Sequence, residues 1–223
     1  EFEKDDAGRF MMQTPPSYPA DTRGGRMVYV RDFGFWIDKY EVTNAQFVEF
    51  LNERGNQEEE DIVFHYKWFL ESHNREISKL ENDEYISGVG KFPVVWVSWY
   101  GARAFCRWAN KRLPTKSEWQ QACQGTDNRR YPWGNEPHSD QQNSDSHRGR
   151  YPVGHSTQDV SPYGVMDMGG NVWEFTATVD EFYGRLFPAI GGSGSILPGR
   201  CEIWGFRKVG PESYTGFRCA WNK

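Results

Sequence analysis

The chain has 223 residues and a formal charge of −5, which suits one large domain and argues against nucleic acid as a main partner, because a phosphate-binding face needs clustered Lys and Arg. A chain of this size buries roughly 70–75% of the surface its unfolded form exposes, so a core forms without staples, and no apolar run nears the ~20 residues that span a bilayer. Ten Trp, 16% aromatic residues, 23 Gly and 12 Pro predict a loop-heavy domain held by aromatic packing.

Residues 1–26 carry Pro15, Pro16, Pro19 and the pair Gly24-Gly25, and read as an irregular N-terminal arm before a single domain over 27–223. "MVYVRDFGFWIDKYEV" (27–42) alternates apolar and polar residues, with Gly34 as a turn or bulge between two strands. "TNAQFVEFLNERG" is an amphipathic helix. Thr43 is its N-cap, Gln46 completes a capping box, Phe47, Val48, Phe50 and Leu51 form the stripe, and Gly55 stops it. The charged residues 56–91 yield no element, and "EEED" (58–61) reads as solvated. "FPVVWVSW" predicts a short buried strand ending at the N-cap Ser98. The next helix places Ala102, Phe105, Cys106 and Ala109 on one face. A third begins at Thr115 with Glu118 closing a second capping box, and turns Trp119, Ala122 and Cys123 inward. "RYPWGNEP" is a turn, residues 136–150 a loop, "SPYGVMDMGGNVWEF" irregular, and "GFRCAW" a closing strand. Lys111-Arg112 and Arg129-Arg130 read as solvated surface. No internal repeat is visible. The fold class is α+β, with two or three early helices and a second half of loops and short strands.

Cys106, Cys123, Cys201 and Cys219 are an even set with no Cys-x-x-Cys spacing, which speaks against structural zinc. They form either two disulfides, implying an oxidising compartment, or four buried thiols. His65, His73, His138, His147 and His155 fall in loops or the charged stretch. Ser193 and Ser195 have no local activating base. "GGSGS" lacks the Lys-Ser/Thr and helix that a phosphate loop requires.

"GFWIDKYEVTNAQFVEFLN", "FPVVWVSWYGARAFCRWANKRLPTKSEWQQAC", "YPWGNE", "SPYGVMDMGGNVWEF", "GGS" and "GFRCA" follow one another in this order. Together they resemble the formylglycine-generating enzyme family, or sulfatase-modifying factors, from about residue 27 to the C-terminus. The resemblance implies a variant of the C-type lectin fold. It also implies a structural calcium site with side-chain oxygens from Asp167 and Glu174 and carbonyls from Gly170 and Val172. Calcium takes six to eight oxygens, which carboxylates flanking a Gly-rich turn can supply. The residues alone also allow Asp167 to cap a turn and Glu174 to make a buried hydrogen bond or ion pair. Of a second calcium site in the family, only Asn143 finds a place. The family pairs Cys106 with Cys219, which leaves Cys123 and Cys201 as partners by parity.

The enzyme branch of the family oxidises a substrate cysteine with copper and oxygen, using two cysteines five residues apart after the GGS motif. Two thiolates suit soft Cu(I). Counted from Gly191, the first position is Ile196 and the second Cys201. The extra helical domain and His-x3-His spacing of the related sulfoxide synthases are missing.

A second branch with this fold comprises the variable proteins of diversity-generating retroelements, usually surface-displayed receptors. There the GGS and GFR frames stay while the positions between them vary. Adenine mutagenesis of Asn codons can produce every residue of the run Gly194 to Cys201. The resulting expectation is a recognition segment within 191–218, with Ser195, Ile196, Leu197, Arg200, Glu202, Trp204, Phe206 and Tyr214 contacting a ligand. Trp, Tyr and Arg are enriched in binding hot spots. Strand alternation offers a second reading, in which Trp204 and Phe206 face the core. The chain thus reads as a non-catalytic, extracytoplasmic receptor or adhesion protein for a protein or other macromolecular ligand. The alternative is an oxidoreductase of the formylglycine-generating type or a related oxidative tailoring enzyme, with Cys201 as the remaining thiol and copper required only in that case.

Overall fold

The computed structural model describes residues 3–4, 10–11, 25–60, 65–69, 71–137, 150–177, 186–192, 199–202, 204–208 and 214–222. The segment expected to be an irregular arm contains an antiparallel pair, β1 (Glu3–Lys4) with β2 (Phe10–Met11). β3 (Met27–Val30) and β4 (Phe35–Asp38) form a hairpin. Gly34 closes its turn at φ 78°, where a side chain would be strained. Val30, Phe35 and Ile37 are buried.

α1 (Asn44–Arg54) starts at the capping box read from the sequence. The Thr43 hydroxyl accepts from the Gln46 N–H, and the Gln46 side chain accepts from the Thr43 N–H at 2.9 Å. These bonds satisfy two otherwise orphaned donors at the helix end. Phe47, Phe50 and Leu51 are buried.

The charged stretch holds two hairpins: β5 (Glu58–Glu60) with β6 (His65–Lys67), and β7 (Ile77–Lys79) with β8 (Tyr85–Ser87). Glu58–Glu60 of "EEED" are thus strand, where the sequence yielded no element. In the second hairpin only Ile77 and Tyr85 are buried, so no apolar alternation announced it. The Asn52 amide docks it on α1, donating to the Tyr85 carbonyl at 3.0 Å and accepting from the Tyr85 N–H at 2.7 Å.

The strand expected at "FPVVWVSW" does not form. Val94, Val95 and Val97 are buried, but Trp96 takes φ 62° and breaks the pleat, leaving, among the described residues, single bridges from Thr43 to Pro93 and from Phe69 to Val97. α2 (Trp99–Trp108) follows, with the Ser98 hydroxyl accepting from the Gly101 N–H at 3.1 Å. α3 (Lys116–Gln124) opens with the Thr115 and Glu118 capping box. The helical faces expected to be apolar are buried: Ala102, Phe105, Cys106 and Ala109 on the α2 side, Trp119, Ala122 and Cys123 on α3.

The second half contributes β9 (Trp173–Phe175), β10 (Leu186–Gly191), β11 (Trp204–Lys208), β12 (Thr215–Gly216) and β13 (Ala220–Trp221). One sheet has the order β11-β10-β9-β12, with β12 parallel to β9, and another β13-β4-β3. The single closing strand expected at "GFRCAW" is split between these sheets. Between its halves, Phe217, Arg218 and Cys219 are fully buried, so this stretch crosses the core. Phe47, Phe50, Phe69, Phe105 and Phe217 centre one core cluster. Trp119, Ile37, Val165, Met168, Ile190 and Cys201 belong to the other. Each buried ring contributes about 1.5–3 kcal/mol of transfer energy. The architecture is the expected loop-rich α+β fold with short, mostly antiparallel strands.

Candidate functional site

The expected recognition segment begins where β10 ends. Ile190 is registered with Glu174 of β9 and with Trp204 of β11, so the chain from Gly191 to Ile203 connects two neighbouring antiparallel strands. Its return is pinned at two points. Cys201 is bonded to Cys123 of α3, both fully buried, and the Cys201 N–H donates to the Arg130 carbonyl at 3.0 Å. Gly199 lies against the backbone of Gly169, where an added Cβ would come within 1.9 Å of the Gly169 carbonyl oxygen. A backbone oxygen cannot swing aside, so only glycine fits there.

Gly199, inside the run expected to vary, is therefore structural, and Cys201 stands in the bridge to Cys123 that was expected for it. Arg200 between them is half-buried, Glu202 is exposed, and Tyr214 is 46% exposed. Ser195, Ile196 and Leu197 lie outside the described residues, as do the side chains of Trp204 and Phe206, whose backbones belong to β11.

Behind this segment is a buried polar cluster. Arg218 spends all five N–H donors inside the protein: two on Glu174 at 2.7 Å each, and three on the carbonyls of Asp38, Lys39 and Met166 at 3.0–3.2 Å. Glu174 also accepts from the Trp119 indole N–H at 2.9 Å. Asp167, at φ 63°, accepts from the Gly154 N–H, and Asp159 accepts from the Gly169 N–H with both oxygens. Glu41 is buried with neither carboxyl oxygen accepting from a described donor, and it faces Asp167. Burial, and then the Asp167 charge, push Glu41 and Asp159 well above the usual carboxylate range. Burial likewise raises Asp167 to about 6. Nearby, Lys111 is buried with its ammonium 2.7 Å from Asp38, so it is not the solvated surface residue its sequence context suggested.

These carboxyls bind protons more tightly folded than unfolded. Their contribution to stability is therefore present at low pH and lost as pH rises through the folded values. For Asp167 the window runs from 3.8 to about 6. Urea midpoints should rise as pH is lowered from 7 towards 5, and Asp167→Asn should flatten that slope; a midpoint falling over the interval would contradict the assignment.

The expected calcium ligands do not fit a calcium ion. Both oxygens of Glu174 are committed to a guanidinium, which supplies the positive charge a metal would bring, and Trp119 takes a further lone pair. Asp167, Gly170 and Val172 are buried in the same turn. Among the described residues, however, no three acidic, His or Cys side chains converge as a metal site. Asp167 and Glu174 match the other option open to them, a turn residue and a buried ion pair. Copper fits no better. Cys106 is bonded to Cys219 and Cys123 to Cys201, so no thiolate pair is available. Of the histidines, His155 stacks on Tyr151 with ring centres 4.6 Å apart, and His73 packs beside Trp96.

Sequence reasoning missed Glu41, Asp159 and Arg218 as parts of this cluster. The signal for Arg218 was its position between Phe217 and Cys219, both core residues. Glu41 and Asp159 come from unconnected loops and carried none. Among the described residues no helix is long and apolar enough to cross a membrane.

Comparison with known proteins follows the same lines. The inactive Cα-formylglycine-generating enzyme 2 of Mus musculus is 32% identical over 96% of this chain and 83% of its own length. The formylglycine-generating enzyme of Mus musculus is 30% identical over 84% of this chain and 66% of its own length. The serine/threonine-protein kinase pkn1 of Chlamydia caviae is 36% identical over 74% of this chain, which spans 25% of that protein. Among solved structures, PvdO from Pseudomonas aeruginosa superposes with a TM-score of 0.60 at 18% identity, covering 83% of this chain and 79% of PvdO. Variable protein 1 of Treponema denticola gives 0.58 at 17%, covering 85% and 84%. The Major Tropism Determinant U1 variant gives 0.54 at 14%, covering 96% and 55%. These three likenesses concern the fold. The family model of the sulfatase-modifying factor enzyme 1-like domain matches residues 6–223, starting well before the boundary suggested at residue 27, and the chain belongs to that family.

Proposed function

We propose that this chain is a non-catalytic ligand-binding protein that displays a recognition segment within 191–218 on a C-type lectin scaffold. It works outside the cytoplasm, takes a protein or other macromolecule as ligand, and has its segment diversified by a retroelement. The observation that carries this reading is the Cys123–Cys201 bridge. It locks the second position at which the enzymes of the family keep a thiol, while the first is Ile196, which can neither ligate copper nor pass electrons. Buried disulfides suit an oxidising location. The fold shared with a Treponema denticola variable protein and a Major Tropism Determinant supports the same reading.

The pinning of Gly199 and Cys201 makes the proposal sharp. Substitutions at Ser195, Ile196 and Leu197 should change stability by no more than about 0.5 kcal/mol. Gly199→Ser should cost about 3 kcal/mol or more, because the new Cβ meets backbone. Copies of the gene from sibling strains should vary across 194–198 yet keep Gly199 and Cys201. A Cys201 thiol that labels in the native protein, or copper-dependent oxygen uptake with a cysteine peptide, would overturn the reading.

A further inference from the structure

The turn after α3 and the return of the recognition segment meet along one backbone seam. The N–H that links Arg200 to Cys201 donates to the Arg130 carbonyl at 3.0 Å, and the Arg130 N–H donates to the Asn135 side chain at 3.0 Å. Two arginine-bearing backbones therefore run side by side, about 5 Å apart. Arg200 is fixed between Gly199, held against Gly169, and the bridged Cys201. Arg130 precedes a tight turn in which Tyr131 and Gly134 exchange backbone hydrogen bonds of 2.8 and 3.1 Å.

The charges on this seam are not balanced as others in the chain are. Arg129, the next residue, grips Asp127 with two bonds of 2.9 and 2.7 Å. Among the described residues neither Arg130 nor Arg200 pairs with a carboxylate, although Arg200 is half-buried and Glu202 is two positions away. Like charges on adjacent backbones repel, and a half-buried cation loses part of its hydration. A carboxylate arriving from outside relieves both. Beside the seam, Trp133 lies parallel to Tyr131, with ring centres 5.1 Å apart and 7° between the planes. Its ring edge packs on Gly169, the residue that Gly199 touches, so a half-buried indole offers a flat apolar surface there. Guanidinium forks take carboxylates in pairs. Two such cations, in a protein of net charge −5, are too few for a polyphosphate or sulfated chain, which needs a longer basic track.

We propose that the partner of the recognition segment is a protein that presents an acidic segment to Arg130 and Arg200, with an apolar side chain on Trp133. The proposal rests on the reading of 191–218 as that segment. It adds two contacts, Arg130 and Trp133, that come from outside the segment and stay the same when the segment is rewritten. The test is the anisotropy of a rhodamine-labelled Glu-Glu-Tyr-Glu-Glu peptide titrated with the intact chain, beside the same peptide with Gln for Glu or Ser for Tyr. Half-saturation is expected below about 1 mM. Binding should weaken about threefold in Arg130→Gln and in Arg200→Gln, and about tenfold in the double variant. The Ser peptide should bind about threefold more weakly. Arg75→Gln, which removes one exposed charge elsewhere, should bind as the parent does. No binding at 1 mM, equal binding of the Gln or Ser peptide, or unchanged affinity in the double variant would each overturn the proposal. So would a loss in Arg75→Gln as large as in Arg130→Gln, or a heparin hexasaccharide that binds as tightly as the Glu peptide. Native labelling of Cys201 would sink the reading of the segment instead, whereas failure at the peptide with both bridges intact sinks this proposal alone.

Discussion

Arg218→Met should destabilise the domain by about 3–5 kcal/mol, a large share of the ~5–15 kcal/mol that holds an ordinary domain together. The guanidinium is the positive charge that faces Glu174, and its field also reaches Glu41, Asp159 and Asp167, all buried. Removing it leaves Glu174 in a dry interior with only the Trp119 N–H as a described donor. It also frees the carbonyls of Asp38, Lys39 and Met166, which it ties together across the crossing between the two sheets. Urea unfolding followed by tryptophan fluorescence reads the loss. Adding Glu174→Gln to Arg218→Met should recover part of it, since the stranded charge is then gone. A single variant as stable as the parent would refute this account of the core.

Loss of the disulfides should be comparably costly. Cys106 and Cys219 are 113 residues apart in sequence, and Cys123 and Cys201 are 78 apart. In the chain-entropy model, each crosslink of such length removes about 4–5 kcal/mol of freedom from the unfolded chain. The double substitutions Cys106→Ala/Cys219→Ala and Cys123→Ala/Cys201→Ala should each lower stability by about that amount, and reducing both bridges should leave no cooperative transition. All four cysteines are fully buried, so reductant should act slowly on the native protein and much faster once urea opens it. Reduction at the same rate with and without urea would contradict the burial.

The helices were legible because their signals are local. Thr43 with Gln46, Ser98, and Thr115 with Glu118 each mark a first turn by chemistry confined to four residues. The Cys106–Cys219 bridge also matches the pairing implied by family resemblance, and Cys123–Cys201 the pair left by parity. The hairpins at 58–67 and 77–87 were not legible, because Glu58–Glu60 hold no apolar residue, the second buries only Ile77 and Tyr85, and the Asn52 bond that docks it comes from 33 residues away. "FPVVWVSW" shows the opposite failure. Its β-branched residues promised a strand, and burial was right, but the Trp96 backbone conformation removed the ladder. At the site, sequence order located the segment and its thiol substitution. The contact between Gly199 and Gly169 joins residues 30 apart, and nothing in either glycine's neighbourhood announces it.

That contact and the neighbouring disulfide also bear on how much change the protein can absorb. On one side of residues 193–198, Gly191 is buried against Trp119. On the other, Gly199 and Cys201 are held by backbone and sulfur. Both ends of the loop are thus anchored by residues outside those six positions. On the function proposed above, a change of sequence at 193–198 leaves both anchors in place. A trial for a new partner is then not first a trial of whether the chain still folds.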